Sequence, residues 1–215
     1  MILPPKLKIT ASLAKAVEPC HLLFVVVPAQ SMRRNIGLVW PHLQLETVIV
    51  SAAKGLEIKT ALRMSQLLEE ELGSGFPLCA LSGPNLVREI AARLPASSVV
   101  ASPDLEVAAW VQKTIMGSRV RVYAHDDLIG VELGGALKNI IAIGAGAADE
   151  FGYGDNAKAA FMTRGLAEIA RLGVAAGANP SPSLAWLALG ISYVPAPVDI
   201  DGITMWGRNW PKGAA

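Results

Sequence analysis

Lys138 stands on an apolar stretch behind two glycines, in the run GVELGGALKN from Gly130 to Asn139. A helical side chain leans back over the residues three and four positions earlier, so Lys138 would overlie Gly135 and Gly134 and leave room there for a small ligand. Leu133, Leu137, Ile140, Ile141 and Gly144 recur at helical spacing and are expected to face a core, which sets the ammonium at the edge of low-dielectric surroundings. An amine held there titrates low and can hand a proton to a reacting oxygen. The same pattern suits a lysine snorkelling to water along a buried helix, and this segment alone does not choose between the two.

Downstream, Gly152-Tyr153-Gly154-Asp155-Asn156 breaks the helical pattern. Asp155 is expected to be the N-cap of a second helix from about Asn156 to Leu172, with Phe161, Gly165, Ile169 and Leu172 on its inner stripe. Taken together, GVELGGALKN, GDNAKAA and TRGLAE closely resemble, in order and spacing, the central motifs of the bacterial-type NAD(P)-dependent glycerol-3-phosphate dehydrogenases. The resemblance extends upstream through LPPKLKIT, LLFVVVPAQSMR, SAAKGLE, LSGP and VYAHDDLIGVE, roughly four-fifths of the chain.

That resemblance implies an oxidoreductase that passes hydride reversibly between NAD or NADP and the central carbon of the glycerol 3-phosphate/dihydroxyacetone phosphate pair, a source of phospholipid precursor. It puts Lys138 on the catalytic lysine, in contact with substrate, and Lys54 of KGLE on a second lysine that touches both substrate and cofactor. Gly83 and Asn85 fall in the loop that holds substrate, and Val87 falls beside the cofactor. The family usually has serine, phenylalanine and alanine where this chain has Asn85, Leu86 and Val87, so the larger Val87 is expected to crowd the cofactor. Outside the family reading, Lys54 is a solvated turn residue, and LSGP is an ordinary turn into a helix over Val87–Arg93 capped by Asn85.

Two lysines make chemical sense for such a reaction. When hydride reaches a ketone, negative charge grows on its oxygen, and a pre-positioned ammonium stabilises the charge and supplies the proton. A second cation nearby lowers the first one's pKa toward neutrality.

These residues need elements to place them. Apolar runs at Leu22–Val27, Thr47–Ser51, Leu78–Leu81, Ser97–Ala101 and Arg119–Tyr123 alternate with helix-like stretches at Ser12–Ala16, Arg33–Val39, Thr60–Leu72 and Val87–Arg93. The alternation predicts a parallel sheet with crossover helices, and helices dominate from about Leu128. The expected class is α/β: a partial Rossmann-type sheet over 1–127, then an all-helical substrate domain over 128–180, as in 6-phosphogluconate dehydrogenase.

Composition narrows the function classes. The 215 residues are 52% apolar with a net charge of +1 and no basic cluster, so neither nucleic acid nor a membrane surface is expected as partner. The apolar run around Ile140 carries Glu132, Lys138 and Asn139, so no membrane span is expected, and no secretion signal is visible. Cys20 and Cys79 sit beside apolar runs and are expected as buried thiols in a reducing cytoplasm. Three scattered histidines lack ligand spacing, so no metal is expected. The partners expected are small molecules, and a homodimer is compatible with the helices.

Both ends depart from the family pattern. The chain begins, at Met1-Ile2-Leu3-Pro4-Pro5, where the family is already inside its sheet, so the glycine-rich turn for the cofactor pyrophosphate is expected to be missing. The spacings Gly144/Gly146 and Gly152/Gly154 read as packing contacts or turns rather than substitutes.

From Ser181 to Ala215 the chain loses all periodicity. Written as codons and read one base earlier, Pro182-Ser183 is compatible with Thr-Phe, and Ala185 to Gly190 with the family's Gly-Leu-Ala-Gly-Leu-Gly, so a frame shift near Ser181 is expected. On that reading Arg208-Asn209, Asp199 and Asp201 carry no role. The alternatives to an active dehydrogenase of this family are a catalytically inactive remnant of it and a related β-hydroxyacid dehydrogenase. The latter shares a lysine-asparagine pair like Lys138-Asn139 but not GDNAKAA or KGLE.

Overall fold

A computed structural model describes residues 6–18 and 20–180. The expectations about Ser181–Ala215, including the frame shift, lie outside the described residues. Among the described residues, five strands form one sheet in the order of the chain: β1 (Leu22–Val25), β2 (Val48–Ser51), β3 (Leu78–Ser82), β4 (Ala96–Ala101) and β5 (Val120–His125). Seven α-helices accompany them: α1 (Leu13–Val17), α2 (Met32–Val39), α3 (Met64–Leu72), α4 (Val87–Ala91), α5 (Leu105–Ile115), α6 (Leu128–Glu150) and α7 (Gly154–Ala175).

The β1–β2, β2–β3 and β4–β5 pairings are parallel, as expected. β3 and β4 instead pair antiparallel, with Leu81 opposite Val100. The cause lies in their connection. It holds only the five-residue α4, too short to carry the chain back along the sheet as a parallel crossover must. The sheet is therefore parallel-dominated, with the Rossmann-like arrangement predicted and a helical region after it.

The sheet buries both faces, which is why its strands read as continuous apolar runs. On one face Val25, Ile49 and Leu78 meet Met32 and Ile36 of α2 and Met64, Leu67 and Leu68 of α3. Beside them, on that same face, Ala80, Val99 and Ala101 meet Leu128 and Val131 of α6. The other face, with Val50, Val100 and Val122, is covered by Val111 of α5. The helix α5 was missed in the sequence, although Asp104 caps it through its side chain to the Glu106 amide. The stretch expected as a helix from Thr60 begins only at Met64. Ala61 has a φ of 58°, inside a turn closed by Glu57 and Leu62, and helical winding cannot pass it.

Asp127, the N-cap of α6, accepts from the Gly130 amide. The N-cap of α7 is Tyr153 without a side-chain bond, and Asp155 lies inside the first turn, fully exposed beside Lys158. The expected Asp155 cap is thus wrong: the positive φ of Gly152 and Gly154 turns the chain so that the cap falls two residues earlier.

The two long helices pack through reciprocal glycines, Phe161 of α7 filling the hollow at Gly144 and Ile141 of α6 filling that at Gly165. The stripes expected to be buried are only partly so. Leu133 and Ile141 are buried, but Ile140 is 60% exposed, Phe161 40% and Leu172 52%, because α6 uses one face for the sheet and another for α7.

Helix α6 is also long and apolar enough to cross a membrane by length and composition, contrary to expectation. Here that helix packs on β3 and β4. Cys79 is buried, its thiol pushed up to about 11 by desolvation, while Cys20 is only half-buried, at the edge before β1.

Candidate active site

The expected gap beneath Lys138 is not a ligand hollow. Ser82, the last residue of β3, fills it, and a Cβ on Gly135 would lie 2.6 Å from the Ser82 Oγ. Gly135 therefore serves close approach of helix to strand, and the approach brings Lys138 over the residue after Ser82. That residue is Gly83, and Lys138 Nζ donates to its carbonyl oxygen at 3.0 Å. Lys54 Nζ donates to the same oxygen at 3.1 Å. Three sequence-predicted site residues, from the β2 exit, the β3 exit and α6, thus meet at one atom.

Gly83 is required there on two counts. Its φ is 151°, and a Cβ would lie 2.8 Å from the Ser97 carbonyl oxygen and 3.0 Å from Ser98 Cα. The electrostatics follow from the geometry. Lys138 is pushed down to about 7, first by desolvation under the helix–sheet packing, then by the charge of Lys54 and a hydrogen bond between the two amines.

Asn85 turns to β4, where its Oδ1 accepts from Ser98 Oγ at 2.6 Å, and it does not cap α4, whose N-cap is Leu86. Val87 opens α4 and is 71% exposed. Neither makes a described contact with the two amines.

The supports of this centre were not legible in the sequence. The loop carrying Lys54 is gripped from α2 and the turn before it. Gln30 donates to the Leu56 carbonyl at 2.7 Å and accepts from the Ile58 amide at 3.0 Å, and Arg33 holds Glu57 with Nε and a terminal nitrogen at 2.9 and 2.8 Å. That fork, with a bond from Thr60, holds the Glu57 carboxyl down at about 2.

Further on, Arg63 and Ser65 meet Glu132 of α6 in a nearly buried ion pair, 2.6 Å between Arg63 and the carboxylate. A lone carboxylate between Val131 and Leu133 was the available signal for this contact. Among the described residues no group of three or more His, Cys, Asp or Glu could hold a metal ion.

The place of the lysines suits a nicotinamide cofactor. Ligands of open parallel sheets bind at the carboxyl ends of strands, where β1 ends at Val25 and β2 at Ser51. Lys54 and the exposed Val87 border that end, and no glycine-rich turn follows a strand among the described residues.

Sequence comparison agrees with the motifs. The family profile described as NAD-dependent glycerol-3-phosphate dehydrogenase N-terminus matches residues 1–108, and its C-terminus counterpart matches 127–192. A glycerol-3-phosphate dehydrogenase [NAD(P)+] of Listeria monocytogenes serotype 4a (strain HCC23) is 41% identical over 215 residues, covering 99% of this chain and 62% of its own. One from Symbiobacterium thermophilum is 50% identical over 179 residues, covering 83% and 52%. The chain thus spans between half and two-thirds of these relatives. The crystal structure of glycerol-3-phosphate dehydrogenase from Coxiella burnetii superposes with a TM-score of 0.79 at 35% identity, over 87% of this chain and 58% of that one.

Proposed function

Because the chain belongs to the NAD-dependent glycerol-3-phosphate dehydrogenase family, we propose that Lys54 and Lys138 are its acid–base pair for hydride exchange between NAD(P)H and dihydroxyacetone phosphate. The convergence of both amines on the Gly83 carbonyl, at 3.1 and 3.0 Å, carries this reading. A bound nicotinamide supplies or takes the hydride. The rest is the work of this chain's own side chains.

Lys138 Nζ holds the proton that passes to the substrate's carbonyl oxygen as charge grows there. Lys54 stays beside it as the second cation that stabilises that charge. With Lys138 titrating at about 7, both its acid and base forms are populated at neutral pH, so one amine serves both directions of the reaction. The Gly83 carbonyl orients both donors, and its rigid seat against Ser97 and Ser98 keeps them from drifting.

On this reading Gly83 and Asn85 border the substrate, with Lys54 and Val87 toward the cofactor. The division at 1–127 and 128–180 separates a cofactor part from a substrate part. The enzyme is cytoplasmic, and either NAD or NADP serves.

The test is direct: purified chain, dihydroxyacetone phosphate, and NADH or NADPH in separate runs, followed by loss of reduced-cofactor absorbance. Turnover that Lys138→Met abolishes is expected. Turnover unaffected by that substitution, or none by the unaltered chain, would overturn the proposal.

A further inference from the structure

Two helices share one face of the sheet, α3 over β1–β3 and α6 over β3–β4, and their facing ends carry complementary groups. At the start of α3, Ser65 presents an amide that has no partner within its own helix. Glu132 of α6 takes it: its Oε1 accepts from the Ser65 amide at 2.7 Å, and its Oε2 accepts from the Ser65 hydroxyl and from Arg63, each at 2.6 Å. Arg63 also donates to the Ser65 hydroxyl at 2.8 Å, which closes the network. The side chains of Arg63 and Glu132 are only 14% and 7% exposed.

The position of this network in the chain gives it meaning. Arg63 ends the loop that begins at Lys54, and Glu132 lies less than two turns before Lys138 on one continuous helix, roughly 9 Å along its axis. Of the other contacts of α6 with the sheet, those through Leu128 and Val131 are apolar and Gly135 meets Ser82 without a side chain of its own, while Lys138 reaches the Gly83 carbonyl just past β3. Apolar contacts are non-directional and leave a helix free to slide or roll by fractions of an ångström. A buried ion pair is a poor device for stability alone, since apolar residues of like volume often do as well, but it does register one element against another.

We propose that Glu132 is a positioning residue for the lysine pair: its carboxylate ties the loop carrying Lys54 to the helix carrying Lys138 and so sets the spacing of the two amines over the Gly83 carbonyl. The proposal rests on the dehydrogenase reading for its purpose, but its test needs no turnover. Lys54 is the charged group facing Lys138, and the Gly83 carbonyl is their common acceptor. Spacing of the amines is therefore read by how readily Lys138 loses its proton.

The measurement is competitive labelling of amines across a pH series, on the full chain, with exposed Lys113 as internal standard, together with a short bifunctional amine reagent that bridges Lys54 to Lys138. Glu132→Ala is expected to lower Lys138 labelling at pH 7 by roughly tenfold, one pKa unit, and to remove the cross-link. Glu132→Gln, which keeps an acceptor for Ser65, is expected to fall between. Should Glu132→Ala fail to fold, Glu132→Leu combined with Arg63→Met replaces the pair with apolar volume and is expected to show the same loss of labelling. A folded variant with unchanged labelling and cross-link overturns the proposal while leaving the dehydrogenase reading intact. An unaltered chain in which Lys138 labels like Lys113 overturns both.

Discussion

Lys138 is held against its own preference, and that leaves a thermodynamic signature. Its pKa falls from 10.5 to about 7 on folding. Below pH 7 both folded and unfolded chains carry the proton, and the folded state bears the full penalty of the buried charge. Between about 7 and 10.5 the unfolded chain binds more protons than the folded one, so this residue's contribution to stability rises with pH across that window. Lys138→Met should therefore stabilise most at or below pH 7, by on the order of a few kcal/mol less the lost bond to Gly83, and not at all above 10.5. Denaturant midpoints of both proteins at pH 6, 8.5 and 10.5 check the slope, and parallel curves would contradict it.

Gly83→Ala acts at the same scale in the opposite sense. Strain at a positive φ and a Cβ pressed on Ser97 should cost about 2 kcal/mol or more, measurable by urea unfolding. Ser51 offers a control, because its buried hydroxyl has no hydrogen-bond partner among the described residues. Ser51→Ala is expected to be neutral or stabilising by about 1 kcal/mol.

At the scale of elements, the loop between β2 and α3 is a clamped strap rather than a free turn. Gln30 grips its backbone on both sides of Glu57, so Gln30→Leu should speed hydrogen exchange at the Ile58 amide while leaving core amides of β2 unchanged. Exchange measured by NMR decides it.

The seat of α6 is equally specific. Gly135→Ala forces α6 away from β3, and Ser82→Ala removes the oxygen that the new Cβ meets. The double variant should recover most of the stability lost by Gly135→Ala alone, a coupling of the kind neighbours show. Much at this scale was readable in advance. The runs around Val50 and Val100 announced strands, and the pattern from Leu133 to Gly144 announced α6. The N-cap of α7 was misplaced because Asp155 is a good capping residue by type, while the two glycines at 152 and 154 decided where the chain could turn.

For the molecule as a whole, the two-helix hairpin stands on the sheet with an apolar flank outward. Ile140, Ile143, Phe151 and Tyr153 are 60%, 46%, 57% and 67% exposed. A flank of this kind promotes association. Ile140→Glu with Ile143→Lys should reduce concentration-dependent sedimentation and dye binding, with stability changed by no more than about 0.5 kcal/mol.

The sequence by itself made legible the five strands, the long helices α6 and α7 and the order of the family motifs that carry Lys54, Gly83 and Lys138, because side-chain periodicity and motif spacing are local. Only the tertiary structure decided that α3 and α6 share a sheet face, that β4 runs against β3, and that Glu132 closes on Arg63 and Ser65. Those pairings join residues distant in the chain, and whether they meet depends on how many residues each connection has to cross the sheet and on where a glycine lets backbone approach backbone.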